Sequence, residues 1–283
     1  MSASDDQHVE LLTRPVSRRG ALALLGGLGL AVAGCSGGSD SDSATATTKG
    51  ASGSSSTTGA TTTTGAATTA VTDCSVIPEE TGGPFPGDGS NGPDALSESG
   101  VVRKDITSSF DGKSGTADGV PFTLSFTVVD VDNGCKPLTG AAVYVWHCDR
   151  EGNYSMYQDA SDQNYLRGVQ EVDATGVVTF TSIFPACYSG RWPHVHFEVY
   201  PSVDAATKGT DKLVTSQLAF PEDACDAVYA ISGYETSATN MSRVSLESDM
   251  VFADGVSTQT PSMTGNASSG YVSSLVVGVH GAV

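Results

Sequence analysis

The sequence predicts an all-β fold: a single-domain, antiparallel two-sheet β-sandwich behind an N-terminal signal peptide and a disordered linker. Three observations carry this expectation. Beyond residue 72, short β-branched and aromatic runs alternate with Gly, Asp, Asn and Pro. No long stretch there repeats at helical period, so apolar residues have no continuous helical face to share. About two hundred residues suffice for one sizeable core and are few for two. Short strands at this spacing fit a sandwich or a barrel, and the sandwich is the reading adopted.

The elements follow in order. Residues 1–34 read as an export signal: Arg18 and Arg19 follow Ser17, then an apolar run from Ala21 to Ala33 leads to Gly34 and Cys35. That run is too short to span a bilayer comfortably. Small residues before a cysteine resemble a lipobox, and the paired arginines resemble the Tat signal. The expectation is Tat export in a bacterium and a lipid anchor on Cys35, at the outer face of the cytoplasmic membrane or outside the cell. Residues 35–72 are mostly Ser, Thr, Gly and Ala, which bury too little apolar surface to offset ordering entropy, so a tether is expected. The folded domain is 73–283.

Strand candidates are Phe122–Val131, Ala141–His147, Gly176–Ile183, His194–Tyr200, Lys212–Phe220 and Ser274–Val279. The turns near Pro137–Gly140 and Asp173–Gly176 fit loop ends. The net charge of −18 falls wholly on the chain after the signal, because Asp5, Asp6 and Glu10 cancel Arg14, Arg18 and Arg19. An acidic surface repels phosphate backbones, which excludes nucleic acid as a partner. Five cysteines follow Cys35, and an oxidising exterior predicts two disulfides with one thiol left over. Cys187 is read as a disulfide partner rather than a nucleophile. The sequence leaves the oligomeric state open, a homo-oligomer included.

The chemistry concentrates in PACYSGRWPHVHFEVY, residues 185–200. Side chains alternate along a strand, so His194 and His196 share one face while Val195 and Phe197 take the other. Two imidazoles on one face make a pair of metal ligands, although such a pair on a solvated face is as common. A second block, VYVWHCDREGNYSMY at 143–157, runs a strand into a Gly-Asn turn that presents Tyr154. A third, LRGVQEVDATGVVTFTSI, spans Leu166 to Ile183.

Together these blocks resemble the intradiol ring-cleavage dioxygenases, the family of catechol 1,2-dioxygenase and protocatechuate 3,4-dioxygenase. The resemblance implies a non-haem Fe(III) held by Tyr154, Tyr188, His194 and His196, and a catechol-type substrate cleaved with O2 to a cis,cis-muconate-type diacid. It implies that Tyr188 leaves the metal and accepts a substrate proton, while Arg191 stabilises charge on the ring and Gln217 assists by hydrogen bonding. The segment PEETGGPFP, residues 78–86, resembles the family's substrate-covering segment, which makes Pro84 and Phe85 substrate-binding candidates, Phe85 standing where the family has tyrosine. Trp146 and His147 are expected to pack around the site. The resemblance is not expected to extend to the N-terminal helical dimerisation segment of catechol 1,2-dioxygenase. The ligand set has its own logic: phenolate is a hard anionic donor, so two tyrosinates and two imidazoles favour ferric iron. The alternative function is a non-catalytic exported lipoprotein of the same fold that binds aromatic ligands or iron.

Overall fold

The computed structural model describes residues 71–72 and 74–281; the expected signal, Cys35 and all but the last two tether residues lie outside them. Among the described residues the regular structure is mostly strand. Its elements are β1 (Pro121–Asp130), β2 (Lys136–Pro137), β3 (Ala142–Trp146), β4 (Arg167–Glu171), β5 (Val177–Ile183), β6 (His194–Tyr200), α1 (Val203–Lys208), β7 (Val214–Ala219), α2 (Glu222–Tyr229), α3 (Glu235–Met241), β8 (Ser262–Asn266) and β9 (Gly270–Val279).

Two sheets form. One holds β3, β4, β6 and β7 in the order β4-β3-β6-β7, all antiparallel. In the other, β5 and the short β2 pair with β1, β9 also pairs with β1, and β8 lies outside β9. The expectation of purely antiparallel sheets is corrected here. β1 and β9 run parallel from Phe122 opposite Tyr271 to Asp130 opposite Val279. These strands are joined by the whole of the other sheet, so no hairpin constrains their relative direction.

All six expected strands are present, with ends shifted by a few residues. β9 begins at Gly270, earlier than expected, because its Ser-rich start resembles a turn until β1 supplies the pairing partner. β2, β4, β8 and the three short helices were not expected as elements. α1 shows how local chemistry made its own helix: the Ser202 hydroxyl accepts from the Ala205 N–H at 3.1 Å, and Gly209 closes the far end at φ 62°.

The core joins the two sheets. Phe122, Leu124, Phe126 and Val128 of β1 share one hydrophobic cluster with Val143 and Val145 of β3 and Val195, Phe197 and Val199 of β6. The Phe126 and Phe197 rings meet at 4.8 Å between centroids. On the far side of the β3–β6 sheet a second cluster gathers Tyr144, Trp146, Tyr154 and Tyr200. Every residue of β6 is buried, so its two faces serve different ends: hydrocarbon on one, imidazole on the other.

Only one of the two expected disulfides is present among the described residues. Cys74 bonds Cys135, while Cys148, Cys187 and Cys225 are free and buried. Cys187 is therefore not a disulfide partner. The three thiols occupy positions in the packed clusters, where cysteine serves as a small hydrophobe, a role that a count of cysteines does not register.

Candidate functional site

The strand order explains why the site lies where it does. In register, Trp146 of β3 faces His196 of β6, which faces Gln217 of β7. Cross-strand neighbours on one face touch, and the indole of Trp146 stacks on the His196 ring at 4.9 Å and 5°. Gly83 then closes over His196 from outside. φ there is +68°, a conformation that glycine adopts without strain, and a Cβ would meet the imidazole Cε1 only in ordinary contact at 3.4 Å, so the backbone turn over the ring is what calls for glycine.

The tyrosines come from two loops. Before Tyr154, the Asp149 carboxylate accepts the Glu151 and Asn153 N–H groups at 3.1 and 2.8 Å and bends the chain. Tyr188 lies between β5 and β6, and its carbonyl accepts the Arg191 N–H at 3.3 Å. Both phenols end beside His194: Tyr154 Oη lies 3.3 Å from His194 Nε2, Tyr188 Oη lies 3.1 Å from it, and the two hydroxyls are 3.5 Å apart. His196 Nε2 is 3.1 Å from His194 Nε2. The four predicted side chains are thus brought together.

This donor set fits a metal ion. Donors bonded to one small cation at roughly 2.1 Å lie about 3 to 3.5 Å from one another, the spread seen here. Tautomer chemistry agrees: Trp192 C=O can only accept, so His194 Nδ1 donates to it at 2.5 Å, leaving the Nε2 lone pair aimed at the phenols. Among the described residues His196 Nδ1 has no hydrogen-bond partner, and stacking on Trp146 orients that ring instead. Burial pushes His194 down to about 3 and His196 well below the usual histidine range, so both rings are neutral lone-pair donors at pH 7. Burial pushes Tyr188 up to about 12 and Tyr154 well above the usual phenol range, so each phenol keeps its proton unless a cation replaces it. Among the described residues no group of three or more His, Cys, Asp or Glu forms a metal cluster; the convergent donors are phenols and imidazoles.

Arg191 stands beside the donors with its guanidinium held at two points. Its Nε donates to Asp249 Oδ2 at 2.9 Å and its Nη2 to Gln217 Oε1 at 2.7 Å. Gln217 is fixed in turn by donating to Thr81 C=O at 2.7 Å. Sequence reasoning missed Asp249, which no motif marks. Fully buried, it also accepts the Trp192, Val251 and Phe252 N–H groups at 2.6, 2.8 and 3.2 Å. One carboxylate therefore anchors both Arg191 and the residue whose carbonyl orients His194.

Phe85 covers the site from the N-terminal segment, its ring 5.1 Å from those of Tyr154 and Tyr157. Pro84 is exposed, and its carbonyl accepts from Asn91 Nδ2 at 2.8 Å. His147 faces away from the donors. Its Nδ1 donates to the Cys148 carbonyl at 2.8 Å and its Nε2 meets the Ser182 hydroxyl at 2.7 Å, in keeping with a packing role.

Comparison with known proteins places this arrangement in a lineage. Residues 91–254, more than half of the chain, match the Dioxygenase family (Dioxygenase_C). Chlorocatechol 1,2-dioxygenase of Rhodococcus opacus is 39% identical over 66 residues, covering 23% of this chain and 26% of that protein. Catechol 1,2-dioxygenase 2 of Acinetobacter lwoffii is 36% identical over 75 residues, 26% of each. The chain thus spans about a quarter of the length of these curated relatives. An intradiol ring-cleavage dioxygenase from Tetranychus urticae shares the fold, with a TM-score of 0.58 at 24% identity over 73% of this chain and 95% of that one. With more than half its length matched, the chain belongs to the Dioxygenase_C family of dioxygenases.

Proposed function

We propose that the protein is a ferric-iron-dependent intradiol dioxygenase that opens a catechol-type ring between its two hydroxyl carbons with O2, giving a cis,cis-muconate-type diacid. The observation that carries this reading is the convergence of Tyr154, Tyr188, His194 and His196, whose neighbouring Nε2 and Oη atoms lie 3.1 to 3.5 Å apart: the two phenols from each other, each phenol from His194, and His194 from His196. Family membership and the names of the curated relatives support it.

These four residues would hold the metal, two phenolates offsetting part of its positive charge. Bound there, ferric iron would supply a Lewis acid able to bind both oxygens of a catechol dianion and make the ring reactive toward dioxygen. Tyr188, more exposed than Tyr154, would swing away as substrate enters and accept a catechol proton at Oη. Tyr154, nearly fully buried, would stay in place. Arg191, preset by Asp249 and Gln217, would face the charge gathering on the ring without needing to reorganise. Phe85 would lay an apolar face over the substrate and exclude water.

The test is colour and oxygen uptake. Tyrosinate-to-Fe(III) charge transfer should make the iron-loaded protein red-brown and catechols should drive O2 consumption; His196→Ala should lose iron, and Tyr188→Phe should retain some iron but turn over slowly. Full iron and activity in the His196 variant would refute the ligand assignment. The same reading has the protein exported by the Tat route and anchored through Cys35. Arg18–Arg19, the apolar run and the cysteine in that order support this. Mass spectrometry of the mature N-terminus should find a diacylglyceryl group on Cys35, and an unmodified N-terminus upstream of it would refute the anchor.

A further inference from the structure

We infer that Arg167 is a positioning residue that fastens the strap of residues 84–87 over Tyr154 and so shapes the ring pocket; this rests on the proposed ring-cleaving reading of the site. Arg167 opens β4 and is buried to 1% exposure. Burying a guanidinium is costly unless its donors are met, and here each of its three nitrogens donates. Nε donates to Ser155 Oγ at 3.1 Å, Nη1 to Pro86 C=O at 2.7 Å and Tyr144 Oη at 3.1 Å, and Nη2 to Phe85 C=O at 3.0 Å and Ser155 C=O at 2.8 Å. All five acceptors are neutral.

The acceptors are what give Arg167 its meaning. Two belong to the strap, two to the residue directly after Tyr154, and one to the strand beside β4. A planar five-donor fork can tie these segments together at fixed angles, whereas a lysine, with three rotatable donors, cannot. The strap is shaped for the contact: a Cβ on Gly87, at φ +60°, would lie 2.6 Å from Arg167 Nη1. Tyr157, whose ring lies 5.5 Å from the guanidinium carbon, adds a second tie. Its hydroxyl accepts the Gly87 N–H at 2.9 Å and donates to Asn91 at 2.7 Å. Phe85, the strap residue facing the substrate side, is thereby set against the Tyr154 ring.

The experiment uses the full chain, with Arg167→Lys, Arg167→Met and Gly87→Ala. The last pushes the strap off the guanidinium while leaving the arginine in place, so it decides the matter if an Arg167 variant fails to fold. Peptide-level amide exchange over residues 82–91 should quicken by about tenfold or more in Arg167→Met and Gly87→Ala, and less in Arg167→Lys, with β1 and β6 unchanged. In iron-loaded protein, KM for catechol should rise by about tenfold while kcat changes by less than about threefold, and discrimination between catechol and 4-methylcatechol should narrow. Unchanged strap exchange in Arg167→Met and Gly87→Ala overturns the inference. So does a loss of kcat and thermal stability in step at constant KM, the mark of a merely structural arginine. If the parent protein turns over no dihydroxybenzene, the ring-cleavage reading fails, and the exchange data alone decide whether Arg167 holds the strap.

Discussion

Arg191 illustrates how a residue can be named from sequence while its working state depends on a partner that no motif marks. Asp249 has no exposed surface and is tied to Arg191 and three backbone N–H groups. Burial alone would raise its pKa, but hydrogen bonds from the Trp192 and Val251 N–H groups and from Arg191 outweigh it and hold the carboxyl below its usual range. Removing one partner of a buried pair costs more than the pair contributes, because the other charge is left without compensation. Asp249→Asn should therefore destabilise the fold by about 3 kcal/mol in urea titration. Gln217→Ala, which leaves the ion pair intact, should cost about 1 kcal/mol. Equal losses in the two variants would mean that the pair does not anchor this loop.

At the level of elements, β6 is the strand on which core and site meet. Its seven residues alternate so that Val195, Phe197 and Val199 join the inter-sheet cluster while His194 and His196 face the phenols. Packing on one face therefore fixes the imidazoles on the other, since a one-residue slip would exchange the two sets. Phe197→Ala, removing a ring 4.8 Å from that of Phe126, should cost about 3 to 5 kcal/mol and lower iron affinity although no donor is touched. Calorimetry and metal titration check this; unaltered iron binding would uncouple the core from the site. The alternation was readable from HVHFEVY, as was the existence of six of the nine strands, though not most of their ends. β4 was not, because Arg167 and Gly168 lack strand character and pair only once β3 lies alongside.

For the whole molecule, buried histidines set an acid limit. His147, buried and bonded to the Cys148 carbonyl and Ser182, is pushed down to about 4 by loss of solvent. Its unfolded counterpart titrates near 6.5, so as pH falls the unfolded chain binds a proton that the native state refuses. The stability conferred by the neutral ring is complete above about pH 6.5 and declines toward about pH 4, by on the order of 3 kcal/mol. His147→Gln should flatten the fall in urea midpoint between pH 7 and pH 5; a slope identical to the parent would place the acid limit elsewhere.

The residue order alone determined a mostly-β class, the pairing of His194 with His196 on one face, and the blocks on which the resemblance to the dioxygenases rests. Those features are local: they follow from side-chain alternation, turn chemistry and short motifs. Tertiary structure decided that β9 lies parallel to β1, that among the described cysteines only Cys74 and Cys135 pair, that Asp249 restrains Arg191, and that Arg167 reaches back to the strap. Each of these joins residues from 58 to 149 positions apart. Such contacts form because burial leaves a strand edge, a carboxylate or a guanidinium without water and some distant group must replace it.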